Sequence, residues 1–190
     1  GFSLAVGAPL LDTPEDCTAL SRALLNSLEP PRPDEALVLM GHGSLHHSNG
    51  EFLRMEQALR TEGRPDAFVG VMRGEPGLDR VLAAVHRRPH VRAVQLHPLL
   101  ITAGMHARRD LAGSGDASWR TRLEAAGYPV RCTLRGLGEY PAVRRLFVHH
   151  ALAAGARAHF PCAVSGGGDT KAPDGAEAPL SFPNREAPLL

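Results

Sequence analysis

Three short segments carry side chains that could do chemistry. The first, Met40-Gly41-His42-Gly43-Ser44-Leu45-His46-His47-Ser48-Asn49, follows a short apolar run and precedes a helical pattern. In an open α/β sheet such a junction lies at the carboxyl edge, where ligands bind. Glycine on either side of His42 permits a sharp turn and is expected to clear space for a large ligand beside the imidazole. A neutral imidazole there can serve as metal ligand or base. The second segment runs from Leu96 to Asp110 and places Gly104-Met105-His106-Ala107-Arg108-Arg109-Asp110 after another apolar run. Two strand-end histidines on separate loops can converge across a crevice and hold a metal with open coordination positions. The third, Phe68 to Gly77, contains Arg73 and Glu75, which share a face if the strand stays extended. Glu75 could then complete a metal site, and Arg73 could pair with a ligand carboxylate. Plainer roles fit the same residues: a Gly-rich turn with solvated histidines, and a solvated salt pair. His97, just before Pro98, reads as structural; His86 and His90 read as exposed, and His149, His150 and His159 as surface or interlobe residues.

The elements that must position these residues are legible from periodicity. Leu37 to Met40, Phe68 to Met72, Val91 to Leu96 and Val130 to Leu134 are apolar, largely β-branched runs, the pattern of parallel strands buried on both faces. Helical patterns lie between them at Glu51 to Glu62, Gly77 to Arg87 and Ser118 to Ala126, the last capped by Asp116 or Ser118 and closed by Gly127. Strand and helix alternate, so the fold class is α/β with a parallel sheet and flanking helices. A further helix, Pro141 to His159, places Val143, Leu146, Phe147 and Ala151 on one side. Upstream, Leu4 to Val6 reads as a strand and Pro14 to Leu28 as an amphipathic helix. Neither this helix nor Pro141 to His159 has an evident partner in the central unit. The expected organisation is 1–33 as an opening segment, 34–159 as the α/β domain and 160–190 as a Gly- and Pro-rich disordered tail.

Composition narrows the function. The net charge is +1 and no Lys/Arg block occurs, which argues against a nucleic-acid surface. No apolar run is long enough to span a bilayer. A cytoplasmic location is the expectation, with export left open because the first residue is Gly1 and no leader pattern is visible. Lys171 is the sole lysine; arginine forks suit carboxylate-rich ligands, although GC-rich coding produces the same bias. Cys17, Cys132 and Cys162 form no CxxC, so neither a disulfide framework nor a zinc-thiolate site is indicated. Neither GxGxxG nor GxxxxGK[ST] occurs, which weighs against a nucleotide-using enzyme.

Taken in order, these segments resemble the anaerobic sirohydrochlorin cobalt chelatases, a family of class II tetrapyrrole metal chelatases. The resemblance runs from about Val6 to Ala158. It is carried by Gly7-Ala8-Pro9-Leu10-Leu11, Met40-Gly41-His42-Gly43 with His46 and Asn49, Pro76-Gly77-Leu78-Asp79 and Pro98-Leu99. Ala103-Gly104, His106-Ala107, Asp110, Ser118-Trp119, Gly136-Leu137-Gly138-Glu139 and Pro141-Ala142-Val143 continue it.

The resemblance implies a Rossmann-like chelatase lobe whose His42 and His106 are at once catalytic and metal-binding and reach into a cleft between two lobes. It implies Co²⁺ as substrate metal, with Ni²⁺ or Fe²⁺ as alternatives, no prosthetic group, and sirohydrochlorin as the other substrate. Three departures stand out. Arg73 occupies the position of the family's liganding glutamate, Met105 stands where an acidic residue is usual, and most of an N-terminal lobe is absent, so that 1–33 reads as its remnant. On this reading Glu75 takes over as third ligand, and the macrocycle lies against Leu99, Leu100, Ile101 and Met105 near His46. Its carboxylates seek Arg73, Arg108 or Arg109, and a missing lobe or a second copy closes the cleft. A tetrapyrrole- or metal-binding module that has lost catalysis is the competing reading.

Overall fold

The computed structural model describes residues 4–45 and 49–157; the expected tail 160–190 with Cys162, and His159 at the expected end of the domain, lie outside them. Four parallel strands, β1 (Glu35–Gly43), β2 (Ala67–Arg73), β3 (Ala93–Pro98) and β4 (Val130–Cys132), form one sheet in the order β2-β1-β3-β4. Side chains alternate across β1 with period two. Leu37 and Leu39 enter one core, while Ala36, Val38 and Met40 enter the other. Both faces are therefore covered, which is why the strands read as continuous apolar runs.

On the Leu37/Leu39 face lie α1 (Pro14–Leu25), α2 (Gly50–Thr61) and the start of α5 (Pro141–Arg157). On the opposite face lie α3 (Leu78–His86) and α4 (Trp119–Ala125). Local chemistry sets the helix ends. The Thr13 hydroxyl accepts from the Asp16 amide at 3.1 Å and the Asp16 carboxylate accepts from the Thr13 amide at 2.9 Å, a reciprocal cap that starts α1. Ser118 caps α4 through the Thr121 amide at 3.1 Å, and Gly127 closes it at φ +92°.

Three expectations change. Leu4 to Val6 forms no strand: no ladder forms there, and Leu4 and Val6 are 87% and 80% exposed. Helix α1 has a partner within the unit, because Cys17, Leu20, Ser21 and Leu24 at i, i+3, i+4, i+7 bury against β1 and α2. Helix α5 turns part of its expected face inward: Leu146 packs with Val143 on the core, but Phe147 and Ala151 do not follow. Val143 and Ala154 are buried with His150 between them, whereas Phe147 and Ala151 are exposed along with Val148 and Leu152. The reason is polar: His150 Nδ1 donates to the Ala8 carbonyl at 3.0 Å and its Nε2 meets the Asp16 carboxylate at 3.0 Å, which fixes the rotation of α5 against the start of α1.

Within β3, His97 is fully buried and its Nε2 lies 2.7 Å from the Tyr140 hydroxyl, so it is structural, as expected. Among the described residues no helix is long and apolar enough to cross a membrane.

Candidate metal centre

Strand order reverses between β1 and β3, because β2 follows on one side of β1 and β3 on the other. At such a switch point the loops after the two central strands diverge and leave a crevice at the carboxyl edge. His42 is the penultimate residue of β1, and His106 follows the loop that leaves β3.

The Gly-His-Gly segment is built for position more than for ligand space. Gly43 adopts φ +71°, and a Cβ there would stand 2.3 Å from the Arg73 carbonyl oxygen, so only glycine lets the end of β1 turn this close to β2. The room beside Gly41 is already filled. A Cβ on it would meet the Phe52 ring at 2.3 Å, which corrects the expectation that this glycine clears space for a ligand. The buried Asn49 side chain ties the turn together: its Oδ1 accepts from the Ser44 amide at 2.9 Å and its Nδ2 donates to the Glu75 carbonyl at 2.9 Å. Sequence alone shows Asn49 only as part of the Gly-His-Gly motif. Its signal was an amide residue between two strand-end loops.

The His106 loop is held from below. The Leu137 amide donates to the Leu100 carbonyl at 2.8 Å and the Gly138 amide to the Ile101 carbonyl at 2.9 Å, so the Gly-Leu-Gly-Glu segment braces the chain leaving β3. Beyond it, Ala107–Leu111 forms a single π turn, with Ala107 and Leu111 buried as its anchors. Such turns interrupt ordinary helical register and are frequent at functional sites.

The outcome is a histidine pair. The His42 and His106 ring centroids lie 5.3 Å apart with their planes at 78°. His42 Nδ1 is 3.0 Å from the Gly43 carbonyl oxygen, and His106 Nδ1 is 2.7 Å from Asp110 Oδ2. A carbonyl oxygen and an ionised carboxylate only accept, so both Nδ1 atoms carry a hydrogen; in the neutral rings both Nε2 atoms then keep the lone pair. Metal–nitrogen bonds of about 2.0–2.1 Å allow two imidazoles this close to share one ion. Asp110 also accepts from Arg109 Nε at 2.7 Å. That Arg109 bond is the main cause of a carboxyl pKa held below the usual range, with partial burial opposing it and His106 reinforcing it.

A cavity of about 330 Å³ opens beside His106, lined by Met72, Arg73, Arg109, Asp110 and Trp119 among others. Arg73 thus borders the cavity beside His106, and Met105 and Ile101 are exposed on the loop at 67% and 51%. Arg108 is exposed on the π turn. Leu99 is buried in one core and Leu100 packs partly buried on the other, so neither offers the open apolar face expected of them. His46 lies outside the described residues.

Glu75 is not brought to the pair. Gly74 at φ +80° breaks the extended alternation that would have aligned Glu75 with Arg73. The Glu75 carboxylate instead accepts from the Gly77 amide at 2.8 Å and borders a separate cavity with Asn49, Leu53 and Pro76. Among the described residues, no group of three or more His, Cys, Asp or Glu side chains is placed to hold a metal ion.

A sirohydrochlorin cobaltochelatase of Salmonella typhimurium is 37% identical over 147 residues, covering 77% of this chain and 55% of that protein. The sirohydrochlorin cobaltochelatase CbiKC of Nitratidesulfovibrio vulgaris is 38% identical over 156 residues, covering 81% of this chain and 55% of that protein. The chain therefore spans about half the length of the curated relatives it matches. Among solved structures, a CbiX protein of cobalamin biosynthesis from Marinobacter aquaeolei aligns with a TM-score of 0.49 at 23% identity, covering 65% of this chain and 98% of that one. The family model for cobalt chelatase (CbiK) matches residues 2–155, and the chain belongs to that family.

Proposed function

We propose that this chain is the metal-binding lobe of a sirohydrochlorin cobaltochelatase, a lyase that inserts Co²⁺ into sirohydrochlorin on the anaerobic route to cobalamin or a related tetrapyrrole. The observation that carries the reading is the His42–His106 pair at the switch point, 5.3 Å apart with both Nδ1 atoms committed.

The chemistry explains why such a pair suits the task. Insertion requires water to be stripped from the ion, two pyrrole N–H protons to be removed, and the macrocycle nitrogens to face the metal. Two neutral imidazoles bind a divalent first-row ion with moderate strength and can also take up protons. Thiolate ligation would hold the ion too tightly to pass it on. Ile101 and Met105 supply exposed apolar surface for the flat face of the macrocycle. Arg73, and Arg108 on the π turn, offer guanidinium groups to its peripheral carboxylates. The remainder of the whole protein, or a second copy, supplies the other wall of the cleft, and the reaction is expected in the cytoplasm.

A second reading has an observation of its own. With Glu75 turned away and Arg73 bordering the His106 cavity, the pair has no carboxylate ligand among the described residues, which favours a module that binds metal or tetrapyrrole without inserting one into the other. Absorbance of sirohydrochlorin mixed with Co²⁺ and the complete protein separates the two. A chelatase accelerates the metal-dependent spectral change, and His42→Ala or His106→Ala abolishes the acceleration. A protein that binds Co²⁺ through both histidines yet leaves the spontaneous rate unchanged is the binding module.

A further inference from the structure

We propose that Asp110 is a positioning residue that fixes His106 in the Nδ1–H tautomer and in one ring orientation, so that its Nε2 is always presented as a metal ligand. This rests on the reading of the histidine pair as the metal centre. Free imidazole in water exchanges between two tautomers, and only one of them leaves Nε2 able to coordinate.

The bond lies within one helical turn. His106 and Asp110 are four residues apart, the spacing at which side chains meet on a helix face, and Nδ1 and Oδ2 approach to 2.7 Å. The carboxylate is itself held. Arg109 donates Nε to Oδ1 at 2.7 Å and Nη2 to Oδ2 at 3.1 Å, so both oxygens are engaged and the plane of the group is set. For the same reason Asp110 does not replace the missing carboxylate ligand, since turning an oxygen onto the metal would cost it Arg109 or His106. The buried residues Ala107 and Leu111 fix the turn on which all three polar residues stand.

His42 provides the internal comparison, because a backbone carbonyl plays the equivalent part there and no side-chain substitution removes it. The two rings therefore respond differently to a change at Asp110.

The experiment uses the ¹⁵N-labelled full chain, long-range ¹H–¹⁵N spectra of the imidazoles at about pH 8, above the ordinary histidine pKa of about 6.5, and titration with Co²⁺ alone. In the parent, His106 shows the Nδ1–H pattern. Asp110→Ala shifts His106 toward the Nε2–H tautomer, leaves His42 unchanged and weakens Co²⁺ binding roughly 10- to 100-fold, as loss of an outer partner does elsewhere. Asp110→Asn, whose amide oxygen can accept the same bond, keeps the tautomer and recovers most of the affinity. The proposal is overturned if Asp110→Ala leaves the His106 tautomer as in the parent. It is equally overturned if the His42 pattern is lost in both variants, which marks a general structural role. Asparagine weakening Co²⁺ as much as alanine while keeping the tautomer would place Asp110 among the ligands instead. A parent that does not bind Co²⁺ refutes the metal-centre reading, while the tautomer spectra still decide the role of Asp110.

Discussion

His97 makes the fold sensitive to acid in a way that can be measured. It is fully buried in β3, and burial is the main reason its pKa falls from 6.5 to about 4, with the Pro98 backbone partly opposing the fall and Arg135 adding to it. Because the folded value lies below the unfolded one, the unfolded chain takes up the proton first. The neutral-histidine contribution is thus intact above about pH 6.5, declines as pH falls through the window from 6.5 to about 4, and is fully lost below it. At about 1.4 kcal/mol per pKa unit the loss amounts to about 3 kcal/mol, a large part of a typical folding free energy of about 5–15 kcal/mol. The assay is urea unfolding followed by circular dichroism at a series of pH values, for the parent and for His97→Gln. Asp16, Glu35 and Asp110, whose pKa values are held low, also lose stability in acid, but they do so in both proteins and cancel in the comparison. The parent should lose about 3 kcal/mol more than the variant across that window. Parallel pH profiles would refute the assignment of a neutral buried His97. The residue matters to the site because β3 feeds the His106 loop, so acid loosens the strand on which that loop depends.

Three further outcomes follow from the site. Gly43→Ala should lower stability by more than about 2 kcal/mol, since it combines a left-handed backbone with a Cβ at 2.3 Å from the Arg73 carbonyl oxygen; an unchanged urea midpoint would contradict the geometry. Glu75→Gln should leave Co²⁺ affinity within about twofold of the parent, well under the roughly tenfold that 1.4 kcal/mol represents, because its carboxylate caps the Gly77 amide away from the histidines; a marked loss by calorimetry would restore Glu75 as a ligand. Arg73→Glu should raise Co²⁺ affinity by about tenfold or more, as a cation bordering the His106 cavity becomes an anion; unchanged binding would show that residue 73 does not face the ion.

Much of the fold was legible because both faces of the sheet are covered. Four apolar runs became four parallel strands, and Ser118 and Gly127 bounded α4 where capping chemistry placed them. The misreadings have local causes. Leu4 to Val6 has strand composition, but a strand needs a neighbour, and the chain meets α5 only just after this exposed segment, where a Cβ on Gly7 would lie 3.1 Å from the His150 backbone. On α5, apolar spacing places Val143 and Leu146 on the core but adds Phe147 and Ala151, because the polar His150 sets which side faces α1.

The site divides along the same line between periodicity and tertiary detail. His42 and His106 come together because an open α/β sheet brings its strand ends to one edge, so histidines in the loops after two buried strands can converge there. Glu75 was misplaced because period-two alternation holds only while every residue stays extended, and one glycine at φ +80° between Arg73 and Glu75 is enough to send the carboxylate to the Gly77 amide. Asp110 had the opposite fate. Its four-residue spacing from His106 was visible, yet it could be used only once the loop was known to re-enter a helical turn at that histidine. Residues that stand at a strand end can thus be placed from pattern, whereas one that orients another side chain depends on a single turn of backbone that composition does not specify.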